Sequence, residues 1–187
     1  MTLNSIKKVM VLLAPGFEET ETIIPVDILR RSGARVTLAG LQSGPIEGSR
    51  GVFILSDHNL NDLNHMDYDL VVLPGGQPGT SNLQKDERVL KLLRSMHSRG
   101  KLIAAICAAP IVLQSAGILE GQALTSHPSV KEHLHSIKFS ENRVVVDQNI
   151  ITSQGPGTAM EFSMKLVEFL FDQDRVEKVN KQFLAKL

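Results

Sequence analysis

Short, almost unbroken apolar runs alternate along the chain with longer segments whose apolar residues recur every three or four positions. A run that is apolar at every position belongs to a strand buried on both faces. Such strands, separated by amphipathic helices, pair in parallel. Residues 9–14 form the first run, and Pro15-Gly16 the turn after it. A helix is predicted over 19–31, with Ile23, Val26 and Leu29-Arg30 at helical spacing and Gly33 as its stop. Residues 35–39 read as a second strand. Between 44 and 56, Pro45, Gly48 and Gly51 punctuate two short extended pieces, an antiparallel hairpin or sheet edge. A core strand at 69–73 stops at Pro74-Gly75-Gly76, and a helix over 87–99 closes at Gly100. The strand 102–106 runs into Cys107 and a helix to about 116. Short strands follow at 123–126 and 144–146, and 149–153 pairs with the latter across Asp147-Gln148. A helix runs from Gly155-Pro156-Gly157-Thr158 through 171, and Val176, Val179, Phe183, Leu184 and Leu187 recur on one face of a terminal helix. The pattern predicts a mostly parallel sheet with helices on both faces.

Composition narrows the class. With 187 residues, 42% hydrophobic and 21% charged, the chain reads as one soluble domain, 1–187, large enough to bury a core without staples. Twenty basic residues offset twenty acidic ones, so neither nucleic acid nor an anionic membrane is indicated as a partner. Lys7-Lys8 before an apolar run faintly resembles a signal peptide, but the run is short, lacks a cleavage site and reads as a first core strand. The stretch 102–113 is too short to span a bilayer and is broken by Pro110. One cysteine excludes an internal disulfide and any zinc site built on cysteines, and a free thiol beside six methionines fits a reducing cytoplasm.

That cysteine, Cys107, is the main chemical candidate. Small residues flank it as Ala105-x-Cys107-x-Ala109, and Pro110 suits a first helical turn. This is the steric pattern of a nucleophile elbow, in which the backbone folds back sharply between strand and helix. A thiol there faces the N–H groups of a helix start, which favour the thiolate. The alternative is a small buried apolar residue, a common fate of free cysteine. Ligands of open parallel sheets bind beyond the carboxyl ends of the strands, where Cys107, Gly75-Gly76 and Pro15-Gly16 all fall. Gly75-Gly76 offers backbone N–H groups to an oxyanion or simply makes a tight turn, and the N–H of Ala108 is a second donor. Glu18-Glu19-x-Glu21 complements a helix dipole, or one of the three aims into the crevice and stays protonated beside the thiol. His127, after a short strand, is a candidate general acid or base; the other five histidines read as solvated. His133-x-His135 has no further metal ligand nearby. Gly155-Pro156-Gly157-Thr158 either accepts an anion or is a capped turn. The dinucleotide and phosphate-loop glycine motifs do not occur.

Pro15-Gly16-x-Glu18-Glu19-x-Glu21, Val71-Val72-Leu73-Pro74-Gly75-Gly76, Ala104-Ala105-Ile106-Cys107-Ala108, His127-Pro128, Ser140-Glu141-Asn142-Arg143-Val144 and Thr152-Ser153-Gln154-Gly155-Pro156-Gly157-Thr158 occur in that order along the chain. Together they resemble the ThiJ/PfpI superfamily, and within it the parkinsonism-associated deglycase branch. The resemblance implies a flavodoxin-like three-layer α/β/α sandwich and a homodimer. It implies Cys107 as nucleophile, Glu21 as protonated carboxylate, His127 near the thiol, and Gly75, Gly76 and Ala108 as oxyanion or substrate-binding groups. Arg50 matches a position near the dimer interface and site. The implied activity needs no metal or organic cofactor: glutathione-independent glyoxalase, or removal of early dicarbonyl adducts from proteins or nucleotides. The alternatives are a redox sensor or redox-regulated chaperone acting through Cys107 oxidation and, third, a cysteine peptidase or amidase. Gly48 and Leu55 stand where the branch often carries further cysteines, so a role needing a second thiol is not expected.

Overall fold

A computed structural model describes residues 6–185. In chain order the elements are β1 (Lys8–Leu13), α1 (Glu19–Arg31), β2 (Arg35–Gly40), the hairpin β3 (Pro45–Glu47) and β4 (Phe53–Leu55), β5 (His58–Asn59), β6 (Leu70–Leu73), α2 (Gly79–Lys85), α3 (Glu87–Ser98), β7 (Leu102–Ile106), α4 (Pro110–Ser115), β8 (Ala123–Leu124), β9 (Lys138–Phe139), β10 (Val144–Asp147), β11 (Ile150–Ser153), α5 (Ala159–Leu170) and α6 (Gln173–Phe183). A seven-stranded sheet has the order β10-β11-β7-β6-β1-β2-β5. Every pairing in it is parallel except β10 against β11.

The strands read as continuous apolar runs because the sheet is covered twice. Val9, Val11 and Leu13 of β1, Leu70 and Val72 of β6 and Ala104 and Ile106 of β7 point to one face and pack with residues of α1, α5 and α6. The alternate residues, Met10 and Leu12, Val71 and Leu73, and Ile103 and Ala105, point to the other face and pack with α2, α3 and α4. Each large apolar side chain so buried stabilises the fold by roughly 1.5–3 kcal/mol. The sandwich architecture is the one expected.

Several local expectations change. Ile23 is 47% exposed, because α1 presents Glu21, Thr22, Pro25, Val26, Ile28 and Leu29 to the sheet and Ile23 lies off that stripe. The strand expected over 123–126 is two residues long and pairs with β9 outside the main sheet. The Thr125 N–H donates instead to Thr152 Oγ1 at 3.0 Å. Helix α2 was not predicted, since its glycine-rich entry reads as a turn and its seven residues bury little apolar surface beyond Leu83. At the C-terminus Val179 is buried, but α6 ends at Phe183 and Leu184 is 85% exposed in a left-handed cap. Leu187 lies outside the described residues.

Candidate functional site

The ends of β1, β6 and β7 meet at one crevice, and the chain turns sharply at each. Cys107 follows β7 with φ of 64°, the left-handed conformation that costs a non-glycine residue roughly 1–2 kcal/mol. Two backbone hydrogen bonds hold it there: its N–H donates to Ser153 O at 3.0 Å, and its carbonyl accepts from the His127 N–H at 2.9 Å. The thiol is half-buried and touches the cores on both faces of the sheet. The elbow expected from the sequence is present.

The three glutamates separate into three tasks. Glu18 caps α1, its Oε2 accepting the Glu21 N–H at 2.7 Å, and its own N–H donates to Gly75 O at 2.9 Å. Glu19 turns away from the crevice, toward the hairpin loop. Its carboxylate accepts from the backbone N–H groups of Arg50 at 2.7 Å and Val52 at 3.3 Å and from the Ser49 hydroxyl at 3.3 Å. Burial alone would raise this carboxyl, but those hydrogen bonds prevail and hold it below the ordinary value of 4.5.

Glu21 lies on the buried stripe of α1 and is completely inaccessible. Its Oε2 accepts the Gly75 N–H at 2.8 Å, and the carboxyl hydrogen-bonds the Cys107 thiol. Burial raises it to about 7, despite the stabilising bonds from Gly75 and Cys107. Burial, then the charge of Glu21 and its hydrogen bond, push the Cys107 thiol up to about 12; the N–H groups of Ala108 and Gly76 lower it but do not prevail. Burial and the neighbouring Glu21 carboxyl thus oppose the thiolate that the start of α4 and the N–H groups of Ala108 and Gly76 favour. Cys107 and Glu21 titrate as one unit with room for a single negative charge.

Gly75 enters the site in a different capacity from the one expected. Its N–H is committed to Glu21, and a Cβ on it would lie 2.6 Å from Glu21 Oε2 and 2.7 Å from Cys107 Cβ. Glycine is what lets the carboxyl reach the thiol. Gly76, with φ of 90°, and Ala108 present their N–H groups to the sulfur. His127 is exposed; its Nδ1 lies 2.8 Å from Ser129 Oγ and accepts the Ser129 N–H at 3.2 Å. Its ring borders the crevice near Gly155, and its hydrogen bonds go to Ser129 and not to the thiol. Arg50 is exposed at the hairpin turn, held through its backbone by Glu19, with no contact of its side chain to Cys107.

Gly155 was not singled out from the sequence as part of the crevice. A Cβ there would lie 3.7 Å from His127 Cδ2 and 4.0 Å from Glu21 Oε1. That Oε1 is buried and has no hydrogen-bond partner, so a side chain at Gly155 would stand in contact with an unsatisfied oxygen and an imidazole. No periodicity or local motif flags such a position, which depends on β11 ending beside β7. Among the described residues, no three His, Cys, Asp or Glu side chains are grouped to hold a metal, and no helix is long and apolar enough to cross a membrane.

The fold and this elbow define a parallel α/β protein with a cysteine paired to a buried glutamate. The chain belongs to the DJ-1/PfpI family, whose match covers residues 7–169. It is 47% identical over 182 residues to "Protein dj-1beta" of Drosophila melanogaster, covering 96% of this chain and 97% of that protein. It is 37% identical over 184 residues to "Glutathione-independent glyoxalase DJR-1.2" of Caenorhabditis elegans, covering 96% and 98%. The crystal structure of Drosophila melanogaster DJ-1beta superposes with a TM-score of 0.94 at 46% identity, over 97% of this chain and all of that one.

Proposed function

We propose that this chain is a cysteine-dependent, cofactor-free enzyme acting on reactive dicarbonyls such as methylglyoxal and glyoxal, or on their early protein or nucleotide adducts. The observation that carries the reading is the wholly buried Glu21 carboxyl, anchored by the Gly75 N–H at 2.8 Å beside the Cys107 side chain on its left-handed elbow. The name of the Caenorhabditis elegans relative supports the same chemistry.

With methylglyoxal, ionised Glu21 takes the thiol proton as the sulfur attacks the aldehyde carbon. The N–H groups of Gly76 and Ala108 hold the developing oxyanion, which takes that proton from Glu21 to give a hemithioacetal and leaves the carboxylate free. Glu21 then removes the proton on that carbon. The ketone oxygen gains a proton, giving an enediol, and reprotonation at the neighbouring carbon leaves a lactoyl thioester. His127 shuttles protons at the open side. Water cleaves the thioester, releasing lactate and the thiol, so the net change is addition of one water. Purified protein given methylglyoxal without glutathione should form lactate, and the Cys107→Ala variant should not. Full activity in that variant refutes the mechanism.

The same pair favours a second reading, oxidation sensing. The chain has no other cysteine to resolve a sulfenic acid, and a protonated Glu21 can donate to a sulfinate oxygen. Mild peroxide should add two oxygens to Cys107 by intact mass; no addition below damaging doses rejects it.

A homodimer is part of the proposal. Phe53 and Leu55 share the outer face of the hairpin and are 63% and 69% exposed, and Val52 and Ile23 are half-exposed. Ile23 is one turn beyond Glu19, which binds the same hairpin loop. An apolar patch of this kind marks an interaction surface, with Arg50 at its rim. Sedimentation should give a dimer that Phe53→Glu dissociates; a monomeric native protein overturns the pairing.

A further inference from the structure

Beside the Cys107 crevice lies a cleft of about 650 Å³ between α2, α4 and the segment 128–135. Two links join it to the crevice. Gln77 on its wall directly follows Gly76, whose N–H faces the sulfur, and Ser129 on its wall contacts the His127 ring. None of the ten lining residues is Asp, Glu, Lys or Arg. Its polar surface comes from three glutamines, three serines, His133 and His135, and neighbours fix each glutamine. Ser81 Oγ donates to Gln77 Oε1 at 2.8 Å, leaving the Gln77 amide NH2 unpaired. The His135 N–H donates to Gln114 Oε1 at 3.1 Å, leaving the Gln114 NH2 unpaired. Gln84 donates to Ser115 Oγ at 2.9 Å, leaving Gln84 Oε1 as a free acceptor. The glutamines thus offer uncharged donors and an acceptor in preset orientations.

We infer that this cleft binds the polyhydroxylated tail of sugar-derived dicarbonyls, whose carbonyl pair reaches Cys107. The inference rests on the dicarbonyl reading of the crevice and specifies its substrate class. Each hydroxyl both donates and accepts, which matches amide NH2 and C=O groups presented together. An ammonium tail would lose hydration here without an acidic side chain to replace it. An apolar tail would leave the amides unpaired, since Ile111 and Val130 are the only apolar lining residues.

The test compares kcat/KM for 3-deoxyglucosone, a six-carbon dicarbonyl, with that for methylglyoxal, in native protein and in Gln84→Leu and Gln114→Leu. Each substitution should lower the ratio of the two values about three- to tenfold, the worth of one uncharged hydrogen bond. A ratio unchanged within about twofold in both variants overturns the inference while leaving the dicarbonyl reading intact. Should methylglyoxal itself not be turned over, the dicarbonyl reading fails instead. The cleft is then judged separately by side-chain amide NMR of the Cys107→Ala protein titrated with glucitol. Shifts confined to Gln77, Gln84 and Gln114 support a polyol site, and their absence rejects it.

Discussion

Replacing Glu21 by glutamine should make the protein more stable, and by an amount that depends on pH. In the unfolded chain this carboxyl titrates at its ordinary value of 4.5; in the fold, burial raises it to about 7. Below 4.5 both states hold the proton and the carboxyl imposes no penalty. As pH rises from 4.5 to 7 the unfolded state ionises while the native state retains its proton, so native stability falls by roughly 1.4 kcal/mol per pH unit. Above 7 the native carboxyl ionises too, and the accumulated cost levels off at about 3 kcal/mol. Because Glu21 is wholly inaccessible, solvent does not screen this cost away. The amide of an E21Q variant still accepts the Gly75 N–H but never ionises. Urea denaturation at pH 5, 6, 7 and 8 should show E21Q drawing ahead of the native protein through that window, then holding its lead. A stability difference that is the same at pH 5 and pH 8 would refute the assignment. Lactate formation by the native protein should rise with pH through a midpoint near 7, reflecting ionisation of Glu21, whereas E21Q should lose that rise together with most of its rate.

Cys107 is held in a left-handed conformation, so Cys107→Gly should be more stable than Cys107→Ala by about 1 kcal/mol, the reverse of the usual order, in paired thermal melts. A Cβ on Gly155 meets His127 and Glu21 at ordinary contact distances, so Gly155→Ala should fold normally yet lose roughly tenfold in methylglyoxal turnover by displacing the substrate. Unchanged turnover would show that substrate does not occupy that space. Glu19→Gln should cost about 1 kcal/mol by weakening the bonds to Ser49, Arg50 and Val52. Because the folded carboxyl titrates below 4.5, the native advantage should be present above that value and fade as pH falls beneath it, as denaturation at pH 3, 4 and 6 can measure.

Much of this architecture is written locally. The apolar runs at β1, β6 and β7 state that both faces of the sheet are covered, because every residue of such a strand must be buried. The small residues around Cys107 announce a backbone that folds back on itself. In α1, by contrast, the apolar spacing groups Ile23 with Val26 and Leu29, whereas packing against the sheet buries Glu21, Pro25 and Ile28 and leaves Glu19 and Ile23 off the buried stripe. What the chain order does not contain is which neighbour each group finds. Gly75 looks like an oxyanion donor until the fold spends its N–H on Glu21, and the elbow looks like a thiolate site until burial beside that carboxyl raises the thiol. Gly155 and the cleft walled by Gln77, Gln84 and Gln114 are assembled from segments far apart in sequence. Periodicity reports only which way a side chain faces; distances, partners and local dielectric arise where separate strands and helices converge, and only the tertiary structure decides them.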